Sequence, residues 1–542
     1  MICNYSDSFF SCLYQAGSRS LGLIAQHSLF SGSVITLIAL SSLTATTYLR
    51  YNKRLEERKI TEQAGSRTEK VEIIRQQQLS QNEDKNKTAP LFSKASIIAK
   101  AKHINGENEN HTFPPSSNKI STAIEQVEEL YCEEDILRAF EETRLLIHPS
   151  VSALIDGFLQ YKLTFGSRAE KHLYSSISKA DFIRRLAVIP PFFSREKVKS
   201  CLLTHESEFC DTDCVNDQQD NLLQLTDPLT PEEFELSTLI GISIPTHFIN
   251  KGDSFNEGKI DTSDEFEKRG ICIGFTGPQL DDERQMDAQW IVITDTQNRV
   301  ENGYGPLPEN EENDDSVTAK MRLFARFYKV NYFPLFSDIS SESTNQREKS
   351  PPLSDVKSVI NQEIYKKRMK INIENYLAEA NRWAENNKQK AYVQPYGWGL
   401  QSHKKENILY ILLIQSFLEV IQENAYPHIA DIDFSLLLKI EHNIRIPDDL
   451  LKWDNKIVHD MRLHFPKHAK SREFCTKLTH DDTGKLLVNT YNWKKIPQEK
   501  KRVLGGQSTD FEDDHILSSS PLQFLAQSPD FNPYLSRCSF LK

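Results

Sequence analysis

The sequence predicts an α/β sandwich that follows a helical region and, nearer the amino terminus, a membrane-anchor helix. Short strand-like runs alternate with longer helical runs in the second half of the chain. Residues 29–49 carry no acidic or basic side chain, and residues 55–122 are too polar to build a core. The predicted organisation is a membrane-anchor region (1–54), a polar stalk and linker (55–122), a helical part of the head (123–250) and an α/β core (251–542).

The proposed anchor runs from Leu29 to Leu49, which is long enough to cross a bilayer. The following ten residues, Arg50 to Lys59, hold five basic and two acidic side chains. By the positive-inside tendency this predicts that the remainder of the chain lies in the cytosol. A buried hairpin helix is the alternative interpretation.

Composition excludes some functions. A net charge of −11 argues against general nucleic-acid binding, which needs a basic surface. Nine scattered cysteines indicate a reducing compartment rather than a disulfide scaffold. His205, Cys210 and Cys214 lack a fourth zinc ligand at a known spacing, so we expect neither a metal nor a cofactor.

The predicted elements begin with helices within Ser121–Ile147 and Ser167–Pro190. Apolar and aromatic runs bounded by turn residues then predict strands at Gly270–Gly277, Trp290–Asp295, Ala391–Gln394, Ile429–Ser435 and Lys485–Trp493. Apolar residues three and four apart predict helices at Met321–Val330, Gln362–Glu385 and Glu406–Gln422.

The most informative junction is the glycine turn between Gln394 and the helix at Glu406. Gly397 and Gly399 flank Trp398 there. Glycines let backbone approach a ligand closely, and the free amides of a helix start attract anions, so the turn suits a phosphate-bearing ligand. An ordinary turn is the alternative.

Two carboxylates mark another strand end. Asp431 and Asp433 alternate with Ile432 and Phe434, so they project to one face of the predicted strand. They could bind ribose hydroxyls or transfer a proton, or one could cap the strand end.

Several stretches together resemble a known family, the MavL-type effectors of intracellular bacteria and their eukaryotic relatives. The core of these proteins is similar to a macrodomain related to poly(ADP-ribose) glycohydrolases. The matching stretches occur in the family's order: Ile273–Gly305, Phe327–Phe336, Ile364–Asn381, Ala391–Leu400, Ile429–Ser435, Leu486–Trp493 and Ser528–Pro533. The resemblance implies a macrodomain-like three-layer sandwich.

The resemblance also implies ADP-ribose as the ligand, bound along the carboxyl edge of the sheet with Trp398 and the glycine turn around its diphosphate. Gly397 and Gly399 match two of the family's three glycines, whereas Gln401 replaces the third and His403 replaces the turn's tryptophan.

Asp287 falls where the family carries a glutamate. A carboxylate there would manage a proton during glycoside cleavage. A solvated surface acid is the alternative. In the last motif Asn492 and Trp493 match the family and are expected to bind ligand, but Lys494 stands where an acid is expected.

Three functions follow from these observations. The first is a membrane-tethered hydrolase that removes ADP-ribose from a modified protein, with Asp287, Asp431 and Asp433 as its catalytic acids. The second is a catalytically inactive module that binds ADP-ribose or a modified partner. The third is a scaffold that binds a host protein; the resemblance implies the ubiquitin pathway and secretion into a host cell.

Overall fold

The structure is a computed structural model that describes residues 130–188, 202–203, 209–210, 229–252, 260–280, 286–342, 358–396, 398, 407–439, 447–465, 474–493, 520–527, 532, 534–535 and 538–540. These residues all belong to one compact unit within Ser93–Lys542. The predicted anchor at residues 29–49 lies outside them. Among the residues described, no helix combines the length and the apolar character that a membrane span requires.

The amino-terminal part of the described chain is mainly helical. It contains α1 (Glu133–Glu142), β1 (Arg144–Ile147), α2 (Pro149–Phe165), α3 (Arg168–Ser176), α4 (Lys179–Val188), the paired strands β2 (Leu202–Leu203) and β3 (Phe209–Cys210), α5 (Pro231–Thr238) and β4 (Gly241–His247).

The remaining part alternates strands with helices. It contains β5 (Arg269–Phe275), α6 (Ala288–Ile291), β6 (Val292–Thr294), α7 (Ser316–Tyr328), α8 (Phe336–Glu342), β7 (Ser358–Ile360), α9 (Gln362–Asn386), β8 (Ala391–Gln394), α10 (Asn407–Glu423), β9 (Ile429–Asp433), α11 (Ser435–Lys439), α12 (Asp448–Leu451), β10 (Ile457–Val458), β11 (Met461–His464), β12 (Leu486–Asn492), α13 (Pro521–Ala526) and β13 (Cys538–Phe540). Short 3-10 turns lie at Val300–Asn302, Glu311–Asn313 and His480–Asp482.

The centre of the fold is a nine-stranded mixed sheet in the order β10-β11-β9-β8-β12-β5-β4-β1-β13. Pairing is parallel from β11 through β9, β8 and β12 to β5. β4 runs antiparallel to both β5 and β1. The carboxyl ends of β5, β12, β8 and β9 therefore meet at one edge of the sheet, where ligands bind in open α/β folds.

Helices lie on both faces of this sheet. α9 crosses one face, because Tyr376 donates a hydrogen bond to the Val488 carbonyl on β12 (2.9 Å) and Trp383 donates to Ser243 on β4 (2.9 Å). On the opposite face Ser520, which precedes α13, contacts Thr246 of β4. Ser243 and Thr246 are three positions apart on one strand, so their side chains point to opposite faces.

The α/β class predicted from the sequence is confirmed, as are the helices α7, α9 and α10 and the strands β5, β8, β9 and β12. Two local predictions are wrong. Arg144–Ile147 is a strand rather than the end of a helix, because it pairs with both β13 and β4. Trp290 and Ile291 belong to the short helix α6, and β6 pairs with β7 outside the main sheet.

Segment 123–250 supplies more than helices, since β1 and β4 are strands of the central sheet. A buried ion pair ties its helices together. The Nε and Nη2 atoms of Arg185 donate to the Glu233 carboxylate, each at 2.8 Å, and the Tyr174 hydroxyl donates to the same carboxylate (2.9 Å). α3, α4 and α5 are thereby joined at one point, and α5 leads directly into β4.

Candidate functional site

The carboxyl edge of the sheet gathers several of the predicted site residues. β8 ends at Gln394, β9 at Asp433 and β12 at Asn492, and Thr276 follows the end of β5. All four strands are neighbours in the sheet, and α9 begins above the same edge. The candidate site is therefore built where the parallel strands end.

Trp398 is fully buried just beyond β8. Its indole packs against Phe275 of β5, Tyr376 of α9 and Phe417 of α10, with ring centroids 5.6, 6.4 and 5.8 Å apart. Within the described chain, its Nε1 has no hydrogen-bond partner. The indole thus anchors position 398 in the core. Gly397, Gly399 and Gln401 lie outside the described residues, so the phosphate-binding turn stays a prediction.

Asn492 and Trp493 close the end of β12. The Trp493 amide donates to the Phe275 carbonyl (2.9 Å), and the Thr276 hydroxyl donates to the Trp493 carbonyl (2.7 Å). Both residues are buried, and the Asn492 Oδ1 finds no partner among the residues described. Trp493 therefore fastens β12 to β5, while Asn492 brings a buried polar atom to the edge. Lys494 lies outside the described residues.

Asp433 is buried at the end of β9, where three groups donate hydrogen bonds to it. The Tyr392 hydroxyl (2.8 Å) and the Gln394 amide (3.3 Å) donate to one carboxylate oxygen, and the Ser435 backbone amide donates to the other (2.9 Å). Tyr392 and Gln394 lie on β8, so this acid is fixed by the neighbouring strand. This position at the end of β9 is compatible both with Asp433 capping the strand and with its predicted contact with ligand.

Asp431 has different partners from Asp433, although the two lie two positions apart on one strand. Its carboxylate contacts His464 Nε2 (2.9 Å) and Lys485 Nζ (2.5 Å), and Lys485 also contacts Asp482 (2.6 Å). Burial acts to raise the pKa of Asp431, but the bonds from His464 and Lys485 outweigh it and hold the pKa below its usual range. Asp431 is therefore one member of a four-residue ion network that lies further from the strand end.

Asp287 is completely buried at the start of α6. One carboxylate oxygen accepts the Gln279 backbone amide (2.9 Å), and the other accepts Arg368 Nε from α9 (2.9 Å). The alternative interpretation of Asp287 as a solvated surface acid is wrong, because its side chain is only 1% exposed. In this arrangement both carboxylate oxygens bind protein groups.

Glu235 is the acid of this region that sequence reasoning missed. It is 1% exposed on α5, and it accepts hydrogen bonds from the Trp290 indole and, at 3.4 Å, from the Gln289 amide. Burial, followed by the nearby charge of Asp287, raises the pKa of Glu235 to about 8. No sequence signal distinguishes Glu235 from the other two glutamates of α5. Only the tertiary structure shows that Glu235 is buried with hydrogen bonds from neutral donors.

Asp287 follows β5 along the chain, whereas Asp431 and Asp433 belong to β9. β5 and β9 are three strand spacings apart, which corresponds to about 14 Å. Paired acids of glycoside hydrolases stand roughly 5–9.5 Å apart. The ends of β5 and β9 are therefore further apart than the acids of such a pair, and this spacing suits an extended ligand that runs across β12 and β8.

In the described part of the chain, no group of three or more His, Cys, Asp or Glu side chains is placed to hold a metal ion. Of the three residues considered for zinc, His205 and Cys214 lie outside the described residues.

Comparison with known proteins shows which family the chain resembles. A family model described as ADP-ribosylhydrolase MavL-like matches residues 100–496. Two ADP-ribosylarginine hydrolases of Drosophila melanogaster are similar to it, one 29% identical over 259 residues and the other 28% identical over 274 residues. Each alignment covers 47% of this chain and 50% of the relative, so the chain spans about half the length of the curated relatives it matches. With a match over most of its length, the chain belongs to the MavL-like ADP-ribosylhydrolase family.

Proposed function

We propose that this protein hydrolyses the bond between the distal ribose of ADP-ribose and a modified protein side chain. The observation that carries the proposal is the family match over residues 100–496. The names of the Drosophila relatives point to arginine as the modified side chain. The buried carboxyl groups at the carboxyl edge of a mixed sheet support the same function and a macrodomain-like three-layer fold.

In the proposed reaction ADP-ribose lies along the edge from β5 to β9. A water molecule attacks C1 of the distal ribose and breaks the bond between C1 and the guanidine nitrogen. The hydroxyl group of the water stays on C1, and the other proton of the water goes to the departing guanidine nitrogen. Asp433 accepts hydrogen bonds from ribose hydroxyls, while Tyr392 and Gln394 hold its carboxylate in place. The backbone amides near Gly397 and Gly399 hold the diphosphate. Positive charge on the sugar is stabilised by the fixed carboxylates.

Release of ADP-ribose from a peptide carrying ADP-ribosylarginine tests this function in the full chain. We expect wild-type protein to release ADP-ribose and Asp433→Ala to release it about 100-fold more slowly, as loss of a fixed catalytic-site contact does. Asp264→Ala is the matched control, because Asp264 is an exposed acid that pairs with Lys477 away from the edge. Equal rates for wild type and Asp433→Ala would remove Asp433 from the site.

A binding module is the second candidate function. It is favoured by the burial of Asp287, whose carboxylate pairs with the buried Arg368. Calorimetry separates the two candidates. Micromolar ADP-ribose affinity without release from any modified peptide supports the binding module, and absence of both supports a scaffold.

Location and partners stay predictions from the sequence. We propose that residues 29–49 tether the protein to a membrane with the head in the cytosol, and that a host protein of the ubiquitin pathway carries the modification. Carbonate extraction of the full chain and of a variant lacking residues 29–49 tests the tether. Equal release of both from membranes would contradict it.

A further inference from the structure

Arg368 connects four separate parts of the chain at the end of β5. From α9 its guanidinium donates to Asp287 (2.9 Å), to the carbonyl and hydroxyl of Thr238 (3.1 and 3.0 Å), and to Asn372 (3.2 Å). It also reaches the Thr276 carbonyl at 3.5 Å. Because the side chain is fully buried, each of these bonds forms away from competing water.

The same guanidinium fixes the segment that follows β5. Asp287 binds Arg368 through one oxygen and the Gln279 amide through the other, so it ties Gln279 and the start of α6 to α9. Asn372, one turn along α9, donates to the Thr276 carbonyl at 3.4 Å. Thr276, Gln279 and Asp287 are therefore held against α9 by one connected set of hydrogen bonds.

This geometry leaves Asp287 badly placed for proton transfer. Each of its oxygens accepts a hydrogen bond from the protein, its side chain is 1% exposed, and the buried Arg368 pairs with it. An acid or base in catalysis must lie within hydrogen-bond reach of the group that gains or loses the proton. In the described chain, the Gln279 amide and Arg368 Nε hold the buried Asp287 carboxylate in place.

We propose that Arg368 and Asp287 form a single positioning unit, which fixes Thr276, Gln279 and the start of α6 at the candidate site, and that Asp287 acts through this unit rather than by transferring a proton. The inference rests on the proposed function. Other ionisable groups around the unit are Glu235 on α5 and Tyr328 and Lys320 on α7. The charge of Lys320 acts to lower the pKa of Glu235, whereas burial and then the charges of Asp287 and Glu235 raise the pKa of Tyr328.

A double-mutant cycle tests the proposal. Single-turnover release of ADP-ribose from an ADP-ribosylarginine peptide is measured between pH 5 and 9 for the wild type, Asp287→Asn, Arg368→Gln and the double variant. We expect each single variant to lose about 10- to 100-fold in rate, as loss of a supporting contact does. The double variant should be no slower than the slower of the two single variants, because both changes break one unit. The shape of the pH–rate profile should stay that of the wild type.

Arg322→Gln is the matched control. Arg322, on α7, also pairs with an aspartate: it donates two hydrogen bonds to Asp314 (2.7 and 3.0 Å). We expect its release rate to equal that of the wild type. Arg368→Lys serves if Arg368→Gln does not fold: the ammonium keeps the charge beside Asp287 but cannot span Thr238 and Asn372 as well, so an intermediate rate is expected.

Two results overturn the inference. One is the loss of a limb of the pH–rate profile in Asp287→Asn while Arg368→Gln or Arg368→Lys keeps it. The other is additive losses in the double variant. Absence of release by the wild type would instead overturn the proposed function, and with it the inference, so the two failures are distinguishable.

Discussion

At the scale of single residues, α5 shows how cations decide the charge of a buried acid. Burial raises the pKa of both Glu232 and Glu235, but Lys320 and Lys162 lie close to Glu232 and lower its pKa to about 2. Glu235, three positions on, instead faces the Trp290 indole and Gln289, and its pKa rises to about 8. Two glutamates of one helix thus differ in protonation at neutral pH because their neighbours differ.

This difference predicts how stability depends on pH. The pKa of Glu235 is higher in the folded state than in the unfolded state, so its contribution is complete below about pH 4.5 and is lost as pH rises towards about 8. We expect Glu235→Gln, which imitates the neutral acid, to remove a downward slope of at most about 1.4 kcal/mol per pH unit. Denaturant unfolding of the wild type and the variant between pH 5 and 8 measures the slope.

Glu232→Gln is the control with the opposite sign. Its carboxylate is ionised in the folded state, so the substitution should cost stability throughout that pH range instead of flattening the slope. Parallel pH curves for wild type and Glu235→Gln would show that Glu235 is ionised in the folded protein.

At the scale of elements, the site depends on how closely the ends of two strands approach. Gly277, two residues beyond β5, lies against the backbone of Trp398, which follows β8. A Cβ at position 277 would overlap the Trp398 carbonyl group, and backbone cannot move aside as the tip of a side chain can. The glycine is therefore required by contact between two segments, whereas the sequence alone drew attention to Gly397 and Gly399.

Gly277→Ala tests this contact. We expect a loss of about 1–3 kcal/mol in the free energy of unfolding, typical of overpacking, together with weaker ADP-ribose binding. Denaturant titration and calorimetry measure the two effects. Gly157→Ala on α2 is the control, since its Cβ would meet only the flexible end of Leu323, at 2.6 Å, and alanine favours a helix by up to about 1 kcal/mol over glycine. Similar losses in both variants would argue that the Trp398 contact has no special role.

At the scale of the whole molecule, elements set by local sequence patterns could be predicted from the sequence, whereas features set by tertiary contacts could not. The long periodic segments that became α9 and α10 and the short apolar strands β5, β8, β9 and β12 were predictable, because their spacing repeats within a few residues. Glu235 and Arg368 were not, because each meets Asp287 only after distant segments pack together. The strand at Arg144–Ile147 was missed since four apolar and basic residues after a helix fit either element.

The same tertiary contacts predict that the α/β core does not fold without the segment before it. β4, from residues 241–247, lies between β5 and β1 and pairs with β5 from Arg269 to Gly274. Removing it would expose the edge of β5 and release Thr238 from Arg368. We expect a chain of residues 251–542 to lack a cooperative thermal transition, whereas residues 93–542 keep one. Circular dichroism on heating distinguishes them. A cooperative transition at the same temperature in both chains would show that the core folds without β1 and β4.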